Sequence, residues 1–173
     1  MQTTTVKFYT LGYTEAKTYL AASLFVLGNI ALPQIFHLIP QGGTTWLPIY
    51  FFTLVGAYKY GWKVGLLTAL FSPAVNSLLF GMPVPSSLPA ILLKSVLLAV
   101  FAGLAAAHFR KVNVWILLSV VLAYQIAGTL GEWVMNGDFY PAVQDFRIGI
   151  PGMILQVSGG WVCISKLKSK SFT

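Results

Sequence analysis

The stretch that decides the fold runs from residue 40 to residue 80 and reads PQGGTTWLPIYFFTLVGAYKYGWKVGLLTALFSPAVNSLLF. An uncharged loop comes first, and two apolar runs follow it. The turn between the two runs, KYGWK, carries Lys59 and Lys63, and the second run has Ser72 and Asn76 near its far end. This pattern predicts two membrane helices joined on a positively charged side, with an uncharged loop and polar side chains on the other side.

The composition of the whole chain points to a membrane protein. Of its 173 residues, 57% are hydrophobic and 9% are charged, whereas a soluble domain carries about 25% charged residues. A helical span needs about 20 mostly apolar residues, so the chain has room for about six spans and for no separate soluble domain. We therefore predict one all-α transmembrane domain over residues 1–173, with a polar N-terminal segment (1–16) and a basic C-terminal tail (166–173).

Six segments are predicted to cross the membrane as a compact bundle with short loops. Their approximate bounds are 17–39, 47–58, 62–80, 90–109, 114–135 and 147–164. The second is too short for a hydrocarbon core about 30 Å thick unless it is broken or includes residues 43–46.

The distribution of Lys and Arg predicts the orientation of these spans. Short loops rich in Lys and Arg stay in the cytoplasm. The basic residues of this chain fall at the N-terminus, in the second and fourth loops and at the C-terminus, which an even number of spans places on one side. Both termini should therefore be cytoplasmic. The residues concerned are Lys7, Lys17, Lys59, Lys63, Arg110, Lys111, Lys166, Lys168 and Lys170.

The same distribution argues against several functions. The net charge of +7 comes from clusters that flank helices, so it does not indicate nucleic-acid binding. The chain has no HExxH, GxSxG or Walker A sequence, and its four acids form no carboxylate pair at a useful spacing. With two histidines predicted on opposite sides, a metal site is not expected. We predict neither an enzyme nor a cofactor.

Polar residues within the apolar runs gather in the predicted outer half. A charged residue inside a bilayer marks a functional site unless it is paired or hydrated. On the fifth span, Gln125, Gly128, Thr129 and Glu132 share one helical face. We predict a solute pocket that opens outward and is lined by Trp46, Asn76, Lys94, Gln125, Glu132 and Arg147, with Trp46 as a lid.

Each of these residues also has a structural interpretation. Polar groups bond helices together inside membranes, and Lys94 could pair with Glu132. Arg147 could form a rim ion pair with Asp145 or Asp138, and Trp46 could be an interfacial aromatic. Small residues in the inner half permit close helix packing or docking of another membrane protein. The candidates for docking are Ala99, Ala102, Gly103 and Ala106.

The order of these features resembles a known family. The segment GGTTWLPIYFFTLVGAYKYGWKVG and the loop GMPVPSSLPA are similar to the substrate-binding S components of energy-coupling factor (ECF) vitamin transporters. The resemblance implies a six-helix protein, in the cytoplasmic membrane of a bacterium or archaeon, that captures a vitamin or related micronutrient outside. It also implies a partner module of one coupling membrane protein and two ATPases, which would hydrolyse ATP. Span one, AKTYLAASLFVLGNIAL, lacks the family's Ala-x-x-x-Ala docking motif.

Two other functions remain open at this stage. A structural membrane protein of the cell-shape type would need no pocket, and its Lys94 would pair directly with Glu132. A small intramembrane enzyme would need a buried contact between a histidine and a glutamate. The mixture of charges in the predicted pocket favours an amphoteric ligand and does not name it.

Overall fold

The computed structural model describes residues 8–167, so the first seven residues and most of the predicted basic tail lie outside the described part of the chain. Within that part the chain forms helices and short connections, with no β-strand. The all-α prediction is therefore confirmed for these residues. The helices are α1 (Ala16–Phe36), α2 (Gly42–Trp46), α3 (Phe51–Tyr60), α4 (Trp62–Phe80), α5 (Leu88–Phe109), α6 (Val114–Asn136), α7 (Phe139–Ala142), α8 (Gln144–Ile148) and α9 (Ile150–Lys166).

Four of the described helices, α1, α4, α5 and α6, are long and apolar enough to cross a membrane. The other two predicted spans differ in form. The sixth corresponds to α9, which has 17 residues and begins at Ile150, because Arg147 belongs to the separate short helix α8. The second corresponds to α3, which has only 10 residues.

The break in the predicted second span lies at Leu47. This residue is left-handed, with φ 48° and ψ 44°, and it separates α2 from a 3-10 turn over Pro48–Tyr50 that leads into α3. Gln41, at the other end of α2, is also left-handed. The short helix α2 turns back against α8 and α9. A Cβ atom added at Gly152 of α9 would lie 2.5 Å from the carbonyl of Trp46, so the glycine permits this close contact.

The centre of the bundle is α5, which packs against α3, α4 and α6. The four candidate docking residues on α5 are buried in this packing, and Gly103 lies against the backbone of Trp62. Small residues let the backbones of α4 and α5 approach closely. In this structure the four residues therefore pack the bundle and present no docking surface.

A hydrogen-bonded cluster around Asn29 joins α1, α3 and α4. Pro33 cannot donate to the carbonyl of Asn29, because proline has no N–H group. The Asn76 side chain donates to that carbonyl over 2.9 Å. The Asn29 side chain accepts from the N–H of Phe52 at the start of α3 and donates to Thr53 and Ser72. The cluster thus satisfies backbone groups that a bilayer could not hydrogen-bond.

The predicted pocket residue Asn76 belongs to this cluster. Its amide nitrogen donates to the carbonyls of Asn29 and Ser72, and its side-chain oxygen accepts from Gln34 over 3.4 Å. Both N–H groups of the Asn76 amide and one acceptor position of its oxygen are therefore used inside the bundle. We therefore assign Asn76 to helix packing and do not include it in the candidate site.

The six-span arrangement with cytoplasmic termini can be tested by labelling single cysteines. In a Cys163→Ala background, we expect a membrane-impermeant maleimide to label Ser86→Cys on intact cells. Lys111→Cys should react only after the membrane is permeabilised. Both positions are exposed, and they lie in the connections at opposite ends of α5. Labelling of both sites on intact cells, or of neither, would contradict the arrangement.

The Asn29 cluster predicts a stability effect. Asn76→Leu should lower the free energy of unfolding by about 1–3 kcal/mol, because it leaves buried polar partners unsatisfied. Thermal unfolding of the detergent-purified protein measures this loss. Ser119→Ala is a matched control, because Ser119 is exposed and bonds only within its own helix. Equal stability of the two variants would show that the cluster does not stabilise the bundle.

Candidate functional site

Three charged side chains meet at one end of the bundle. Lys94 Nζ on α5 lies 2.6 Å from Glu132 Oε2 on α6 and 2.9 Å from Asp145 Oδ2 on α8. The Lys94 side chain is 5% exposed, and those of Glu132 and Asp145 are 15% and 13% exposed. The two contacts tie three helices together through a single ammonium group.

The helix positions explain why these groups meet. Lys94 lies within two turns of the start of α5, and Glu132 lies four residues before the end of α6 at Asn136. The antiparallel helices therefore bring both residues to the end opposite the turns that hold Lys59, Lys63, Arg110 and Lys111. Gly128 provides space for the lysine, because a Cβ atom there would lie 2.5 Å from Lys94 Cγ.

A chain of hydrogen bonds lies deeper on the same side of α6. The Tyr124 hydroxyl donates to Gln156 Oε1 over 2.8 Å and accepts from Gln125 Nε2 over 3.1 Å. All three side chains are buried. Gln125 precedes Glu132 by seven residues on one face of α6, which corresponds to about 10 Å along the helix axis.

Several polar groups near these bonds have no partner. Among the described residues, the unpaired buried side-chain atoms are Gln125 Oε1, Thr129 Oγ1, Gln156 Nε2 and Ser95 Oγ, together with Ser165 Oγ near the end of α9. Most buried polar side-chain atoms in folded proteins are hydrogen-bonded, so the first four of these atoms, which belong to the ionic group's helices or to the hydrogen-bonded chain, need a physical explanation. We call the whole set the polar column. It consists of Lys94, Ser95, Tyr124, Gln125, Thr129, Glu132, Asp145 and Gln156.

Of the six predicted pocket residues, the structure brings three together in the polar column: Lys94, Gln125 and Glu132. Trp46 lies on α2 and stacks on Phe36, with ring centroids 5.6 Å apart. Arg147 is exposed, and its guanidinium lies 3.9 Å from the centroid of the Tyr140 ring. Asn76 belongs to the separate Asn29 cluster.

The two structural interpretations based on ion pairs have different outcomes. The direct pair between Lys94 and Glu132 is present. The rim ion pair proposed for Arg147 is wrong, because Asp145 contacts Lys94 while Arg147 lies on Tyr140. The acid closest to Arg147 in the chain thus serves the buried lysine.

Sequence reasoning missed Asp145, Gln156 and Ser95 as members of the site. Asp145 lies in what reads as an outer loop, and only the fold of α8 turns it toward Lys94. Gln156 carried a usable signal, since a glutamine within the apolar run MILQV of α9 is expensive in a membrane and must find a partner. Ser95 follows Lys94 directly and gave no separate signal.

The described residues include no group of three or more His, Cys, Asp or Glu side chains that could hold a metal ion. Both histidines, His37 and His108, are exposed. The buried contact between a histidine and a glutamate that an intramembrane enzyme would require is therefore not seen in the described part of the chain. The polar column is built for charge pairing and hydrogen bonding.

Comparisons of the chain with protein-family models, curated proteins and solved structures gave no match. What the fold and site define is a class: an all-α protein with membrane-spanning helices and a buried ionic group near one end of its bundle. Any statement of function therefore depends on the chemistry of the polar column.

The ionic group predicts a strong dependence on Lys94. Lys94→Met should lower the free energy of unfolding by about 3–5 kcal/mol, because it leaves two neighbouring carboxylates without their cation. The triple variant Lys94→Met, Glu132→Gln, Asp145→Asn should recover most of this loss, since no charge then remains unpaired. Thermal unfolding in detergent measures both effects.

Lys111→Met is the control for this experiment, because Lys111 is exposed and its side chain forms no ion pair with any residue from 8 to 167. If Lys94→Met were as stable as Lys111→Met, the two carboxylates would not depend on the lysine.

Proposed function

We propose that this protein is the membrane-embedded substrate-binding subunit of a nutrient importer, of the ECF S-component type. It captures a small vitamin-like molecule on the outer side of a bacterial or archaeal cytoplasmic membrane. Release inside would depend on a partner module with one coupling membrane protein and two ATPases. The arrangement of six spans with both termini inside is part of this proposal.

The observation that carries the proposal is the set of unpaired polar atoms in the polar column. Leaving a buried donor or acceptor unsatisfied costs about 1–3 kcal/mol. Gln125, Thr129, Gln156 and Ser95 all carry that cost in this structure. A polar ligand that hydrogen-bonds to these groups would remove it, which is how a binding site gains affinity and specificity.

The contrast with the Asn29 cluster supports binding over packing. The Asn29 cluster lies in the same apolar bundle, and all of its side-chain amides are hydrogen-bonded. Polar residues that only join helices are satisfied in this way. The polar column departs from this pattern at four atoms, so helix packing alone does not explain it.

We assign α2 as the cover of the site. This helix contacts α8 and α9, and α8 carries Asp145. Left-handed residues at Gln41 and Leu47 bound α2 on both sides. Movement of α2 about these two residues would open a path from the outer side, with Trp46 moving away from Phe36.

The surface for the partner module is proposed on α1. It is the least covered of the four long helices, since only 22% of the residues in its most apolar stretch are buried inside the bundle. The small residues of α5 are buried and unavailable in this structure. The face of α1 toward the bilayer is therefore the better candidate for contact with a coupling protein.

A second function is supported by one observation. The direct ion pairs from Lys94 to Glu132 and Asp145 tie three helices together, as a structural membrane protein of the cell-shape type would require. Such a protein would bind no small molecule, and deletion of its gene would change cell shape and leave nutrient uptake unchanged.

The proposal predicts that a small molecule co-purifies with the protein and can be identified by mass spectrometry. The double variant Gln125→Leu, Gln156→Leu should bind it at least about tenfold more weakly, since each hydrogen bond contributes about 1 kcal/mol. Isothermal titration with the identified molecule measures this change. Ser158→Ala on α9 is the control, because Ser158 is exposed and bonds only to its own helix.

The absence of any co-purified or added ligand, together with the failure of an ATPase pair to co-purify, would refute the transport proposal. An altered cell shape in the deletion strain would then favour the structural alternative.

A further inference from the structure

The charges of the polar column do not balance. Lys94 supplies one positive charge, and Glu132 and Asp145 supply two negative charges within 3 Å of it. Arg147 is two residues from Asp145, but its guanidinium lies on the Tyr140 ring. In the described part of the chain no second cation lies within ion-pair distance of either carboxylate. The group therefore keeps one surplus negative charge.

A purely structural role does not account for this surplus. Pairing Lys94 needs only one carboxylate, and Glu132 alone would join α5 to α6. The whole chain has four acidic residues against eleven Lys and Arg. Two of those four acids nevertheless converge on one largely buried lysine. An unpaired charge in a low-dielectric site is costly unless a partner neutralises it.

Gln125 and Gln156, deeper in the column, also have groups that a ligand could bind. Their side chains are fully buried, and each has one unpaired atom, an acceptor on Gln125 and a donor on Gln156. Exchanging the oxygen and nitrogen positions of both amides would leave the Tyr124 hydroxyl bonded to one amide oxygen and one amide nitrogen. One amide N–H group and one amide carbonyl would remain free in either case.

Resting on the proposed function of this site, we infer that its ligand is an organic monocation with a neutral hydrogen-bonding head. The positive nitrogen pairs with the surplus carboxylate of Glu132 or Asp145. The head presents a donor and an acceptor, as an amide or an amino-substituted nitrogen heterocycle does, to Gln125 and Gln156. The two ends are separated by about 10 Å along α6.

Ligands of other charge fit the column less well. A neutral ligand would leave the surplus charge in place, and an anionic ligand would raise the net charge of the group to minus two. A monocation brings it to zero, so charge complementarity selects against the other two classes. This sharpens the broader expectation of an amphoteric ligand, which counted Arg147 and Lys94 as free positive groups.

The test measures binding of a fixed panel to the purified full-length protein by isothermal titration. Thiamine, choline and pyridoxamine are the cationic or amine-bearing probes, riboflavin and nicotinamide the neutral ones, and biotin and pantothenate the anionic ones. Any molecule that co-purifies from cells is added to the panel. We expect the tightest binder to be a cation and to bind at least about tenfold more tightly than neutral or anionic probes.

Two variants test whether the preference for a cation depends on the carboxylates of the polar column. Asp145→Asn should weaken binding of the cation at least about tenfold and should not weaken binding of the neutral probes, because it removes the charge that disfavours them. Asp138→Asn is the matched control, because Asp138 is an exposed acid near the same end that caps the N–H of Tyr140. The control removes the same charge and should change the affinity for the cation less than about twofold, since exposed charges are screened.

The outcomes separate the two proposals. A neutral or anionic best ligand would overturn the inference about charge and leave the transport function standing. Equal loss of cation binding in Asp145→Asn and Asp138→Asn would also overturn it, because the effect would then come from net charge alone. If no probe binds and nothing co-purifies, the proposed function fails and this inference fails with it.

Discussion

The contact of one ammonium group with two carboxylates is the interaction on which one end of the bundle, the end that holds α8, depends. Lys94 joins α5 to α6 through Glu132 and to α8 through Asp145. Charges are expensive in an apolar bundle, so these residues must lie together or be hydrated. Their convergence orients α8 and therefore the start of α9. It also places a surplus negative charge above the hydrogen-bonded residues Tyr124, Gln125 and Gln156.

The bundle contains two buried polar regions that differ in how completely their side chains are hydrogen-bonded. Around Asn29, each side-chain amide has a partner, and the cluster compensates for Pro33 and for the start of α3. In the polar column, four buried atoms have no partner. Both regions are surrounded by apolar helices, so the environment does not explain the difference. Under the proposed function, a ligand would complete the hydrogen bonds of the second region.

Much of the fold could be predicted from the sequence, and particular residues show why. Four apolar runs became the long helices α1, α4, α5 and α6. The sequence indicated that the second span was too short, and the helix is indeed interrupted at Leu47, before Pro48.

The site was less predictable. The spacing of Gln125, Gly128, Thr129 and Glu132 placed these residues on one face of α6, because a helix has a fixed period. Asn76 has the same predicted depth as the other candidate pocket residues, yet its amide hydrogen-bonds to groups on α1 and α4.

The sequence by itself determined the helical class, the approximate helix bounds and the polar face of α6, because apolar length and the helical repeat are local properties of the chain. Only the tertiary structure decided which polar groups share a site. The partner of Lys94 on α8 lies 51 residues away, and Gln156 lies 32 residues from Tyr124. Whether a buried amide is satisfied depends on what faces it across a helix interface. That is why Asn76 belongs to the packing, whereas Gln125 and Gln156 each keep one atom without a hydrogen-bond partner in the described part of the chain.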